Sequence, residues 1–148
     1  MTNAGKPHLF QSAKTTEPIV NEKTINNWLD LARYDLETAS AMLASGRYLY
    51  VAFTCQQAIE KLLKARFVKK NNCTPPYTHN LFKLCEEVGL MTELSEEQLG
   101  FIEQLCSYYI QSRYTEELQR LSAALTKEKT SSLYRETGEL FAWLSQKI

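Results

Sequence analysis

The sequence predicts an all-α protein, an up-and-down bundle of four to five helices. Apolar residues recur at three- and four-residue steps through most of the chain after residue 23. Helix-opening polar residues and helix-stopping glycines and prolines fall between those periodic runs. No segment alternates with the period of two that a half-buried strand needs, and no internal repeat or low-complexity tract occurs. At 148 residues the chain fits one domain and can bury roughly two-thirds of its unfolded surface. A hydrophobic content of 44% argues against wholesale disorder.

Residues 1–23 are polar, aperiodic and broken by Pro7 and Pro18, and read as a flexible N-terminal tail carrying Lys6 and His8 but no constellation. The bundle domain is placed at 24–148. Ile25, Trp28, Leu29, Ala32, Leu36, Ala39 and Leu43 mark the first amphipathic helix, with Thr24 as its cap and Gly46 as a left-handed stop. A very short turn then makes the next helix antiparallel to it.

That second helix, from about Arg47 to Phe67, contains no Gly or Pro and is the expected centre of the bundle. Val51, Ala52, Cys55, Ala58, Ile59 and Leu62 form an apolar arc. Tyr50, Phe53, Gln57, Glu60, Lys61 and Lys64 form the opposite arc, aromatic at its start and charged towards its end. A helix apolar over most of its girth needs contacts on more than one side, so a second contact, such as another subunit, is expected on the aromatic side. Pro75 and Pro76 forbid its continuation.

Thr78 or Asn80 opens a short third helix through Leu81, Leu84, Cys85 and Val88, closed by Gly89. Ser95 and Gln98 make a capping box for a fourth helix, whose inner stripe is Leu99, Ile102, Leu105, Cys106 and Tyr109. Residues 116–130 read as a helical turn followed by a loop. The last helix carries Leu133, Leu140, Phe141, Leu144 and Ile148 on one face, and Gly138 in its middle suggests a close helix contact.

Seventeen basic and 17 acidic residues cancel, which excludes bulk attraction to nucleic acid or anionic membrane and confines any basic footprint to a local patch. No apolar run approaches the roughly 18 residues of a membrane span, and no apolar segment lies near the start, so neither a membrane-spanning nor a secreted protein is expected. The four cysteines, Cys55, Cys73, Cys85 and Cys106, mostly occupy apolar helical positions and read as reduced thiols of a cytoplasmic protein.

Several groups could carry chemistry. Gln56 and Glu60, Gln57 and Lys61, and Glu60 and Lys64 are four apart, which suits a solvated, self-paired face. The other reading is a patch for phosphate or a partner's carboxylates, since Lys61, Lys64, Arg66, Lys69 and Lys70 are five cations without an intervening acid. His79 reads as a loop histidine that bonds the backbone around Pro76 and pins the third helix, because no partner for catalysis is visible in the spacing. Cys73, His79 and Cys85 lack a fourth ligand and compact pairing for zinc, and no metal or cofactor is expected. The adjacent acids of Glu86-Glu87, Glu96-Glu97 and Glu116-Glu117 point apart and read as surface. No glycine-rich phosphate loop exists. Arg113 beside Tyr114 leaves two readings open: a phosphate clamp with a stacking ring, or an arginine stacked on tyrosine at a helix end.

In combination, Gly46-Arg-Tyr48, the run Gln56-Gln-Ala-Ile-Glu-Lys-Leu-Leu-Lys64, Thr78-His-Asn-Leu81 and Arg113-Tyr114 resemble the HEPN domain family from about Trp28 to the end of the chain. The resemblance implies a bundle of four to five helices, a homodimer, nucleotide or RNA binding, and pairing with a minimal nucleotidyltransferase in toxin–antitoxin systems. Its polar positions fall on Gln57, Glu60, Lys61, Lys64, His79, Arg113 and Tyr114. Ribonuclease members place a histidine four to six residues after an arginine near the start of the last helix. Here no histidine follows His79, so the proton-transfer group of that motif is missing and no catalytic residue is assigned. The resulting expectation is a non-catalytic protein that binds a nucleotide or a nucleotidyltransferase. A ribonuclease toxin with a non-standard site, using Arg113 with His79 or a tyrosine, and a purely structural interaction domain are the alternatives.

Overall fold

The computed structural model describes the backbone of residues 5–148 and the side chains from residue 21 onward. Among the described residues there are six helices and no strand: α1 (Gly5–Ala44), α2 (Tyr48–Asn71), α3 (Leu81–Glu87), α4 (Glu96–Gln111), α5 (Thr115–Ala124) and α6 (Lys127–Ser145). The all-α bundle is therefore present. The side chains of Lys6 and His8 lie outside the described residues.

α1 begins at Gly5 instead of Thr24. Residues 19–23 contain no Gly or Pro, so a cap at Thr24 has no advantage over another helical turn. At its other end the chain reverses as expected. Gly46 has φ 75°, and Arg47 N–H donates to the Met42 carbonyl at 2.8 Å, a wrap that satisfies an otherwise orphaned carbonyl. The three-residue turn lays α2 back along α1, the most extensive helix pairing of the bundle.

α2 is the central helix and touches α1, α3, α4, α5 and α6. Its apolar arc, Val51, Ala52, Cys55, Ala58, Ile59 and Leu62, is wholly inside. Asn72 ends it in the left-handed conformation at φ 56°, its N–H returning to Val68 O. Asn80, one of the two candidate openers, caps α3 by accepting from the backbone N–H groups of Phe82 and Lys83. Gly89 at φ 70° lets Leu90 N–H reach the Cys85 carbonyl and closes the helix. The Ser95–Gln98 capping box of α4 forms with both reciprocal bonds.

Two expectations change. Residues 115–124 form a full helix, α5, where a turn and loop are expected: Leu121 provides an anchor at 2% exposure, and Glu116 and Glu117 suit the helix N-terminus. A Cβ built at Gly138 meets nothing within 4 Å, so no neighbour approaches closely enough to require glycine there.

Candidate functional site

The charged end of the α2 arc is not solvated. Gln56 is 0% exposed, Glu60 3% and Lys64 7%. Burying a carboxylate and an ammonium together requires that each be paired and hydrogen-bonded, and the surroundings supply those partners. Glu60 Oε1 lies 2.8 Å from His79 Nδ1 and accepts from Gln56 Nε2 at 3.4 Å, while Oε2 accepts from Lys64 Nζ at 3.4 Å. The Lys64 ammonium also lies 5.6 Å from the ring centre of Trp28 on α1, a cation–π contact. Gln57 Nε2 donates to Gln56 Oε1 at 2.7 Å. No described buried side-chain nitrogen or oxygen lacks a partner.

His79 reaches this network from the loop between α2 and α3. Its ring bonds Glu60 and not the backbone around Pro76; instead its own carbonyl accepts from Gln56 Nε2 at 3.0 Å. The two contacts pin the loop to α2 from both the ring and the backbone. The His79 side chain remains 42% exposed, so only its Nδ1 edge is committed to the interior.

Beyond His79 the surface is aromatic. The rings of His79 and Tyr109 are 5.0 Å apart, Tyr109 and Phe53 stack at 6.2 Å, and Tyr77 approaches His79 edge-on at 6.3 Å. The Arg113 guanidinium lies 5.7 Å from the centre of the Tyr109 ring. His79 and Arg113, 34 residues apart in sequence, thus share one tyrosine. A groove of about 480 Å³ opens beside them between α2 and α4, walled by Tyr50, Phe53, Tyr109, Ser112 and Arg113. A second cleft of about 460 Å³, between α1, α2 and α6, has Glu22, Arg33 and Lys69 on its walls and none of the network residues.

The structure sorts the candidate residues differently from their pattern. Glu60 and Lys64 are interior groups that support the site without facing a ligand, because their side chains are 4% and 9% exposed. Lys61 bonds Asp35 of α1, with both side chains largely covered. The run of cations is therefore not a phosphate patch. Arg66 donates to the Val88 and Lys147 carbonyls and Lys69 to the Ile148 carbonyl, so these cations tie the bundle together. Tyr114 does not join His79: its backbone opens α5 and its ring is 63% exposed. The tyrosine under Arg113 is Tyr109, one helical turn earlier. Tyr109, Trp28 and Asp35 are the members that spacing does not reveal, though the four-residue step from Gln56 to Glu60 does mark one bond of the network. Tyr109 had a signal in the aromatic density of 108–114, whereas Trp28 and Asp35 need the α1–α2 register.

Among the described residues no three His, Cys, Asp or Glu side chains gather as a metal site would require. The cysteines are free. Burial pushes the Cys55 thiol up to about 11, against a lowering hydrogen bond with Thr137, and pushes Cys85 to about 12. Burial also raises Cys106. Thiols held protonated in this way are poor nucleophiles at neutral pH. None of the described helices is long and apolar enough to cross a membrane.

Comparison with known proteins adds to this geometry. A family model described as HEPN domain matches residues 25–148. The crystal structure of TT1696 from Thermus thermophilus is similar with a TM-score of 0.71 and 22% sequence identity, covering 84% of this chain and 98% of that one. At that identity the likeness speaks for the fold. No curated protein matches the sequence.

Proposed function

We propose a non-catalytic, nucleotide- or RNA-binding role for this chain, which belongs to the HEPN domain family. The observation that carries the proposal is the meeting of His79 and Arg113 on the ring of Tyr109. A guanidinium is suited to bidentate contact with a phosphate, and an aromatic surface beside it offers stacking to a base. Glu60 and Lys64 hold the site from within, Gln57 bonds Gln56 of the same network, and Lys61 is committed to Asp35 of α1.

The same reading extends to partners. The chain acts as a homodimer and as one component of a toxin–antitoxin-like pair with a nucleotidyltransferase in the cytoplasm. Exposed Leu31 and Tyr34 on α1, at 48% and 68%, support a partner-facing surface away from the groove. Titration calorimetry with AMP, ATP and a short oligoribonucleotide tests the binding role. At least one produces heat, and Arg113→Ala weakens it about tenfold or more, as expected for loss of a charge-assisted contact. Absence of heat with all three would favour a purely structural interaction domain.

A second reading has its own support. The Glu60–His79 pair resembles the carboxylate-oriented imidazoles of acid–base sites, which gives a metal-independent ribonuclease a proton-transfer group outside the usual motif. RNA cleaved by the purified protein, with cleavage lost in both Arg113→Ala and His79→Ala, would replace the non-catalytic reading.

A further inference from the structure

We propose that Glu60 fixes the tautomer of His79, and that the Nε2 so presented accepts a hydrogen bond from a ribose hydroxyl, making the site selective for ribonucleotides over deoxyribonucleotides. This inference rests on the nucleotide-binding reading and names the ligand class that the site prefers.

A carboxylate offers only acceptors, so the His79 nitrogen 2.8 Å from Glu60 Oε1 must carry a proton. In the neutral ring the other nitrogen then bears a lone pair. Glu60 cannot turn away, because Gln56 holds the same oxygen and Lys64 holds the other. Nor can His79 flip easily: Gln56 clamps its carbonyl at 3.0 Å and Tyr109 lies against the ring at 5.0 Å. With Nδ1 committed to Glu60, the His79 side chain as a whole still keeps 42% of its surface exposed, which leaves Nε2 as the ring nitrogen free to meet a ligand.

A lone pair at that edge repels phosphate oxygens and requires a donor. The phosphate has a better place on Arg113, across Tyr109. For a nucleotide whose base stacks on the aromatic surface and whose phosphate pairs with Arg113, the sugar comes between them. Its hydroxyl is the donor that RNA has and DNA lacks. Glu60 is accordingly a positioning residue, acting on the ligand only through His79.

Two measurements test this. In ¹⁵N-histidine NMR spectra at mildly alkaline pH, His79 should show the Nδ1–H tautomer; Glu60→Gln, whose amide can donate to Nδ1, should shift it towards Nε2–H. The sequence contains 2 histidines, so assignment is simple. A wild-type ring in the Nε2–H form would overturn the role given to Glu60. Fluorescence anisotropy with a short oligoriboadenylate and the matching oligodeoxyadenylate should show roughly 2- to 12-fold tighter binding of the ribo form, the value of one neutral hydrogen bond. His79→Ala and Glu60→Gln should bring that ratio to about one. If Glu60→Gln does not fold, the half-exposed His79→Ala still decides the question. Equal wild-type affinities would overturn the selectivity and leave nucleotide binding intact, whereas no binding of either strand would overturn both.

Discussion

Along the polar arc of α2 the two ends exchange the environments that their side chains suggest. Tyr50 and Phe53, at the aromatic end, are 62% and 38% exposed. Glu60 and Lys64, at the charged end, are 3% and 7% exposed. The difference comes from what lies over each end. The 72–80 loop brings His79 down onto Glu60, and α1 brings Trp28 over Lys64 and Asp35 to Lys61. Over the aromatic end Tyr109 of α4, Arg113 and Leu118 of α5 approach, and they leave a groove open. Side-chain polarity tells which partners a residue requires, but burial is decided by which segments arrive there.

The strongest way to break this contrast is to remove the centre of the buried end. Glu60→Ala leaves the Lys64 ammonium buried without its carboxylate and releases His79. A cost of about 3–5 kcal/mol is expected, the usual penalty for orphaning a buried charge. Urea denaturation measures it, and Glu60→Met with Lys64→Met should cost clearly less than Glu60→Ala alone, since the double change removes both charges. A cost below about 1 kcal/mol for the single variant, the range of an exposed ion pair, would show that this end of α2 is solvated after all.

The fold was largely legible because its signals are local. The Gly46 and Gly89 stops and the Ser95–Gln98 box each depend on residues within about one turn of each other. The apolar arc of α2 depends on a three- and four-residue step, and the opening of α3 is narrowed to Thr78 or Asn80. α5 was not, since a polar decapeptide anchored chiefly by Leu121 has little periodicity to read. The site was legible only in part. His79 and Arg113 stood out as residue types, but their meeting on Tyr109 depends on the path of a loop and the end of α4. Glu60 and Lys64 at four-residue spacing look identical whether water or a second helix covers them. Tyr114 is adjacent to Arg113 in sequence, yet its extended backbone opens α5 and leaves its ring exposed, and the ring in contact with Arg113 is Tyr109, four residues back.

Two buried thiols, Cys55 on the apolar arc of α2 and Cys85 on α3, offer a control of intermediate size. Cys55 and Cys85 are each raised by burial from the ordinary 9.0, to about 11 and about 12. A thiol whose folded pKa exceeds its unfolded one loses protons first in the unfolded chain, so its contribution is complete below pH 9 and declines as pH rises towards the folded value. Together the two thiols should remove about 2 kcal/mol of stability between pH 9 and 10. Denaturation curves at both pH values give this number, with lysines and tyrosines controlled by Cys55→Ala/Cys85→Ala, in which the decline should be shallower by that amount. Equal declines in both proteins would mean that these thiols are not held away from water.

The smallest effect is expected at the exposed end of the arc. Phe53→Ala removes a ring that stacks on Tyr109 but remains 38% exposed, and should cost about 1 kcal/mol, mostly from the lost ring pair. The cost should be the same at widely different protein concentrations, because the groove beside Phe53 is assigned to a ligand and not to a second copy of the chain. Phe53→Ala should also weaken oligonucleotide binding, since Tyr109 loses the ring that steadies it between His79 and Arg113. A cost of about 3 kcal/mol or more that grows with protein concentration would reverse the assignment. It would mean that this aromatic end is buried by another subunit, as tightly as the charged end is buried by α1 and the His79 loop.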